Sequence, residues 1–326
     1  MVFDLRVWDN GGKVNSKRTD LYRLIKGETL MRADQMRGVF PILITPFDEN
    51  SQIDEGSLRN LIEFNLAAGV HGVGVALGSE VFKLSEAERE QVTRIVVDQV
   101  GGRVPVVINT GAPGTDLAVL YSQAAESNGA DALMVMPPAF MPAGPDETLH
   151  YYREISDAVT LPIFIQDTST VPVSPSLALK IAVECEQVRY IKVESLPVPA
   201  KVAEMVSIAS DQLIVFGGAG GNYFIEEMRR GSVGTMPFCT QPEAFVEIWN
   251  LFQSGDEDAA RQVFNRTVLP VNRIAAQGAG SFYHVHKEIL RQRDVIRTAK
   301  VRSPAPIFDE MTQRELQRLI DELYLS

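Results

Sequence analysis

The chain has 326 residues, 45% of them hydrophobic and 22% charged, a size and composition that one soluble α/β domain can reach. Its net charge of −11 argues against nucleic acid as a partner and means that an anionic substrate needs a local positive site. No apolar run approaches the roughly 20 residues of a membrane span, and "MVFDLRVWDNGGKVNSKRTD" lacks the basic-then-apolar order of a secretory signal.

Residues 1–37 fit no strand–helix unit and read as an N-terminal extension, with a helix expected near "KRTDLYRLI". From Gly38 onward, short β-branched runs alternate with amphipathic helical patterns. The predicted strands are "VFPILIT" (39–45), "GVGVAL" (72–77), "VPVVINT" (104–110), "ALMVMP" (132–137), "LPIFIQ" (161–166), "VRYIKVE" (188–194), "LIVFGG" (213–218) and "VGTMP" (233–237). Between them lie helical stretches such as "DEGSLRNLIEFNLAAG" and "SEAEREQVTRIVVDQVGG". Ser85 followed three residues later by Glu88 forms a capping box, and Gly69, Gly101 and Gly129 stand where helices should stop. Eight strand–helix units imply a parallel sheet closed into a (β/α)8 TIM barrel over residues 38–254. A doubly wound open sheet is the rival, weakened because no G-x-G-x-x-G follows the first strand. Past the eighth strand come helical patterns alone, at 241–254, 256–277, 282–293 and 310–324; the first reads as the last barrel helix, and residues 255–326 as a C-terminal helical appendage. Cys185 and Cys239 sit in apolar contexts without metal-type spacing, as expected of buried, reduced thiols in a cytoplasmic protein.

The sixth strand poses a chemical question. In "YIKVES" (190–195), side chains alternate faces, so Tyr190, Lys192 and Glu194 project together. On a barrel strand such a face points inward, and its last residues reach the C-terminal mouth, where active sites of this fold lie. A lysine there is costly unless paired or neutralised. A structural Lys192–Glu194 pair is one reading. The stronger one is a reactive amine, since desolvation favours the neutral lysine whose lone pair attacks a carbonyl.

Several segments, in order and at the right spacing, resemble the dihydrodipicolinate synthase and N-acetylneuraminate lyase superfamily over roughly residues 36–302. They are "GVFPILITPFDENSQID", "GSEVFKLSEAERE", "GRVPVVINTG", "GADALMVMPP", "LPIFIQD" and "YIKVES". The resemblance implies that Lys192 forms an imine with C2 of a 2-keto acid. It also implies that Gly78 and Ser79 offer backbone N–H groups to the substrate carboxylate, and that the loop at Gly217 and Gly218 lines the substrate site. No metal or nucleotide cofactor is then needed, and a homotetramer or homodimer is expected. The departures concern substrate. Gln166 stands where the synthase and the lyase have a tyrosine, Leu77 occupies the synthase's catalytic threonine position, and "PPAF" (137–140) replaces its Pro-Tyr-Tyr. With that hydroxyl relay missing, "IQD" and "KVE" look more like the L-2-keto-3-deoxyarabonate dehydratase branch.

The expected activity is therefore dehydration of a 2-keto-3-deoxy sugar acid through a Lys192 imine. Aldol cleavage to pyruvate by the same lysine, or a ligand-binding barrel without turnover, are the alternatives. Glu194 is the candidate proton carrier, or else only a counter-ion for the amine. Ser79 is a carboxylate ligand or a proton relay, or else a loop cap. Gln166 is expected to hydrogen-bond substrate or water, and Thr110 to touch substrate hydroxyls. Asp167 has the opposite parity and should point away, while Glu80 is expected to cap a helix or hold its loop. "FGGAGGN" (216–222) could also cradle a phosphate. The histidines of "HVH" (284–286) diverge on a helix, do not chelate, and are expected at the surface or an interface.

Overall fold

The computed structural model describes residues 36–141, 143–209, 211–278 and 280–325. The helix expected near "KRTDLYRLI" lies outside the described residues. Eight parallel strands form one sheet: β1 (Gly38–Val39), β2 (Val73–Val75), β3 (Val106–Asn109), β4 (Ala132–Val135), β5 (Ile163–Asp167), β6 (Val188–Val193), β7 (Ile214–Gly217) and β8 (Gly234–Thr235). From β2 to β8 each strand pairs with the next, and β1 pairs with β8. Ile42 makes parallel bridges to both Gly74 and Phe238, which joins β1 to β2 and closes the cylinder. β1 is shorter than its predicted segment because Pro41 has no N–H for a regular ladder. The pairing continues past it through Phe40 N to Thr235 O and Ile42 N to Pro237 O. This is a (β/α)8 TIM barrel.

The barrel helices are α1 (Glu55–Ala67), α2 (Glu86–Val100), α3 (Thr115–Ser127), α4 (Pro145–Ala158), α5 (Pro175–Glu184), α6 (Val198–Ala209), the short α7 (Phe224–Met228) and α8 (Pro242–Gln253). Ser85 and Glu88 make the reciprocal capping box, and Gly101 ends α2 in the left-handed region at φ 58°. C-terminal to the barrel follow α9 (Glu257–Val263), α10 (Leu269–Ala275), α11 (Ser281–Gln292) and α12 (Glu310–Ile320). The pattern predicted as one helix over 256–277 is instead α9 and α10 joined by a π-turn at Phe264–Val268. The wider turn falls just before Pro270, which cannot donate to the helical ladder. Among the described residues no helix is long and apolar enough to cross a membrane.

Two apolar layers follow from strand parity. Outward-facing residues such as Val75, Ile108, Val135, Ile165, Ile191 and Val193 pack against the helices. Inward-facing Phe40, Phe164, Tyr190 and Phe216 fill the barrel floor, where Phe164 stacks on Tyr190 at 4.3 Å and Phe40 meets Phe216 edge-on at 5.4 Å. This aromatic plug seals the N-terminal end, so a cavity on the barrel axis opens only toward the strands' C-terminal ends.

The C-terminal helices are locked to the loop after β2 by a buried ion pair. Lys287 on α11 is fully buried; its Nζ donates to Glu80 Oε1 at 2.6 Å and to Lys300 O at 2.8 Å, and it lies 4.3 Å from the Phe47 ring centroid. Burial pushes this amine down to about 8, against the pull of Glu80. Glu80 also accepts from Lys83 at 3.0 Å, so of the two roles expected for it, it fills that of holding the loop. Replacing Lys287 by methionine leaves Glu80 with Lys83 as its ion partner. We expect unfolding stability to fall by about 3 kcal/mol, read by denaturant titration; an unchanged midpoint would show that this pair does not anchor α11.

Candidate active site

The inward face of β6 climbs from the aromatic floor at Tyr190, through Lys192, to Glu194 just past the strand end. Lys192 is 4% exposed, and its Nζ lies 3.1 Å from Glu194 Oε1. The carboxylate has two further donors: Gln166 Nε2 to Oε2 at 3.0 Å, and the Ala219 N–H to Oε1 at 3.1 Å. Gln166 is the register partner of Lys192 on β5, so both point inward. Its orientation is set from behind: Asn109 Nδ2 donates to Gln166 Oε1 at 3.4 Å, and Arg89 Nη2 donates to Asn109 Oδ1 at 3.2 Å. A polar chain therefore runs Arg89–Asn109–Gln166–Glu194–Lys192, and it leaves Gln166 offering an N–H to the carboxylate.

Gln166, Glu194 and Lys192 border a cavity of about 360 Å³. Its lower wall holds Gly78, Gln166, Lys192, Glu194 and Ala219. The mouth is lined by hydroxyl and amide side chains, Thr168, Ser169, Asn222 and Asn272, together with Phe238, Phe282 and His286. Asn272 sits on α10 and donates to Gly220 O and to Asn222 Oδ1, both at 3.0 Å. The C-terminal helices thus form one side of the pocket.

The structure brings Lys192, Glu194, Gln166 and Gly78 together. It turns three other expected residues elsewhere. The Thr110 hydroxyl faces the helix layer and accepts from Ser122 on α3 at 2.9 Å. Asn109, one residue earlier, has the inward parity that Val107 shares, so strand alternation applied to β3 would have selected it. Ser79 keeps its hydroxyl inside its own loop, accepting from Ala76 N at 3.0 Å and donating to Leu43 O; that is the loop-cap arrangement. Gly217 faces outward, while Gly218 packs against the Lys192 and Glu194 side chains. Asp167 points away, as its parity predicts, into Lys201, Ser195 and the Val173 N–H.

The expectation that "HVH" lies at the surface or an interface is corrected for His286. It is 2% exposed, stacks on Phe238 at 4.1 Å between ring centroids, and shares a 2.8 Å hydrogen bond with Thr240. Burial pushes its imidazole down to about 3, so it lines the cavity as a neutral ring. Nothing in its local sequence distinguishes it; only the packing of α11 over β8 carries it there. The same holds for Asn272 on α10, whereas Asn222 ends the "FGGAGGN" loop that the sequence already marks. No group of three or more His, Cys, Asp or Glu side chains among the described residues is arranged to hold a metal ion. Cys185 and Cys239 are free and buried.

A lysine amine against a carboxylate, at the open end of a plugged barrel, is the geometry that imine chemistry needs. The family model for the dihydrodipicolinate synthetase family matches residues 35–323. The chain belongs to that family. The match extends through α12, beyond the segments that carry the sequence resemblance. The chain is 28% identical over 300 residues to an L-2-keto-3-deoxyarabonate dehydratase of Azospirillum brasilense, covering 89% of this chain and 96% of that one. It is 32% identical over 247 residues to a 4-hydroxy-tetrahydrodipicolinate synthase of Methanopyrus kandleri, covering 73% and 81%. Among solved structures it is similar to a prophage protein of the dihydrodipicolinic acid synthase family from E. coli K12, crystallised with pyruvate. That similarity has a TM-score of 0.82 at 25% identity, covering 89% of this chain and 99% of that one. Family membership makes the protein a lyase-family barrel, and the dehydratase and synthase relatives together leave the bond that it breaks to its own residues.

Proposed function

We propose that the protein dehydrates a 2-keto-3-deoxy sugar acid through an imine on Lys192. The observation that carries this reading is the Lys192–Glu194 pair, 3.1 Å apart, with an amide at Gln166 and no tyrosine among the cavity-lining residues. Lys192 attacks the C2 ketone, and Glu194 shuttles the proton as the carbinolamine loses water to the iminium. The positive nitrogen then acidifies C3. Glu194 takes the C3 proton, the enamine forms, and the protonated Glu194 gives a proton to the C4 hydroxyl, which leaves as water. Water adds back to the imine and frees the amine.

The mouth supports the choice of substrate. Its polar lining consists of hydroxyls, amides and one neutral imidazole, and among the described residues the cavity's one lysine or arginine is Lys192 itself. Such a wall suits the neutral hydroxyls of a short sugar chain and offers no cation to a second acidic group. The Gly78 backbone and the iminium face the carboxylate end, which meets the need for local positive charge in an acidic chain. The dehydratase relative aligned across 96% of its length supports the same branch. Self-association into a homodimer or homotetramer belongs to the same reading, on the strength of the sequence resemblance.

Product analysis tests the reaction. Incubation with a pentonate-derived 2-keto-3-deoxy acid should give a 2-keto semialdehyde, formed after a further proton shift, with no pyruvate. Pyruvate plus an aldehyde instead means that the C4 hydroxyl is deprotonated and the C3–C4 bond breaks, which sinks the dehydratase reading and leaves an aldolase.

A further inference from the structure

Behind the end of β7 lies a carboxyl group that this chemistry does not use. Glu227 on α7 is fully buried, and neither of its side-chain oxygens has a hydrogen-bond partner among the described residues. Gly217 faces it: a Cβ built there would lie 1.7 Å from Glu227 Oε2. Gly218, of opposite parity, faces the barrel interior, where a Cβ would meet Glu194 Cγ at 2.5 Å and Lys192 Cε at 2.7 Å. Two consecutive glycines therefore leave a wall one peptide thick between Glu227 and the Lys192–Glu194 pair. Thr235, the register partner of Gly217 on β8, projects to the outer side as well, and its hydroxyl is also buried without a partner.

An ionised carboxylate is costly in such a place, with few donors and no adjacent cation. The charged groups that face Glu227 are Glu194 and Lys192 across the glycine wall and Glu226 on its own helix. Burial, reinforced by Glu194 and Glu226, pushes Glu227 up to about 8, while the Gly218 N–H (close, though not aligned for a full hydrogen bond) and Lys192 pull the other way.

We propose that Glu227 is a positioning residue that works as the neutral acid: its carboxyl packs behind the Gly217–Gly218 peptide, seats that peptide against Lys192 and Glu194, and disables the site when it ionises. A new negative charge one peptide away stabilises the ammonium form of Lys192, which cannot attack a ketone. It also draws the Gly218 N–H toward itself and away from its seat. The proposal rests on the reading that Lys192 and Glu194 carry the reaction.

The test is the shape of the pH profile, whatever the absolute rate. In the wild-type protein, kcat should fall by roughly tenfold or more between about pH 7 and about pH 9.5, along a one-proton limb. Glu227→Gln, which is isosteric and cannot ionise, should lack that limb. Alkaline limbs that superimpose in the two proteins overturn the proposal. If the variant does not fold, infrared difference spectra of the wild-type protein decide. A protonated carboxyl band should vanish over the same pH range in which kcat falls, and its absence at about pH 7 overturns the proposal. Borohydride trapping with pyruvate separates the two levels. No adduct on the wild-type protein removes the underlying lysine reading, whereas adducts on both proteins with superimposed profiles remove the role of Glu227 alone.

Discussion

Replacing Lys192 by methionine should lower kcat by about 10^4-fold or more. Methionine keeps an unbranched chain of similar length, so contacts with the Gly218 backbone and the barrel floor survive, but it has no lone pair that forms an imine. Glu194 retains the Gln166 and Ala219 donors, so the variant is expected to fold. Glu194 then has no cation beside it, a cost that its partial exposure at the cavity and its two remaining donors limit, so some stability is lost while the barrel stays folded. Two measurements check this together: turnover of the 2-keto-3-deoxy acid, and mass analysis after borohydride reduction with pyruvate. The wild-type chain should carry a pyruvate-derived adduct on Lys192 and the variant none. Turnover by the variant at anything close to the wild-type rate removes the imine from the mechanism.

Glu194→Gln should separate imine formation from elimination. The amide keeps the size of the side chain and can still accept from the Ala219 N–H through its carbonyl, yet it takes up no proton. Its NH2 also meets the Gln166 N–H, donor against donor. Gln166 cannot turn over to relieve this without losing the Asn109 hydrogen bond at 3.4 Å, which Arg89 supports from behind. We expect kcat to fall by about 10^2- to 10^4-fold, the range for removal of a general acid–base group. The borohydride-trapped pyruvate adduct should still accumulate, more slowly. If turnover stays within about threefold of wild type, Glu194 is only the counter-ion of the amine. The proton carrier must then be sought elsewhere in the cavity.

The two variants also discriminate between the roles open to the pair. A purely structural ion pair would make both substitutions act on stability and leave the pH dependence and the adduct unchanged. A reactive amine makes Lys192→Met lose the adduct while the protein still folds. A proton carrier makes Glu194→Gln lose turnover while the adduct persists.

Much of this molecule is written in local pattern. The short continuous apolar runs, the Ser85–Glu88 box and the stop glycines place eight strands and their helices, because burial on both faces of a parallel sheet demands such runs. Parity on β6 sets Lys192 and Glu194 on one face, and parity on β5 turns Asp167 outward, for the same reason. Even Asn109 was accessible to that rule. The cavity's upper half was not. Asn272 and His286 acquire their places only when α10 and α11 dock beside the loops after β7 and β8. Glu227 looks like an ordinary surface-helix glutamate until the fold buries α7 against two glycines. Ser79 and Thr110, both plausible hydroxyls by position, find nearer hydrogen-bond partners in their own surroundings. Alternation along a strand is a property of covalent geometry and needs no partner. Which polar group meets which across a pocket depends on how separate elements pack, and that is settled only in three dimensions.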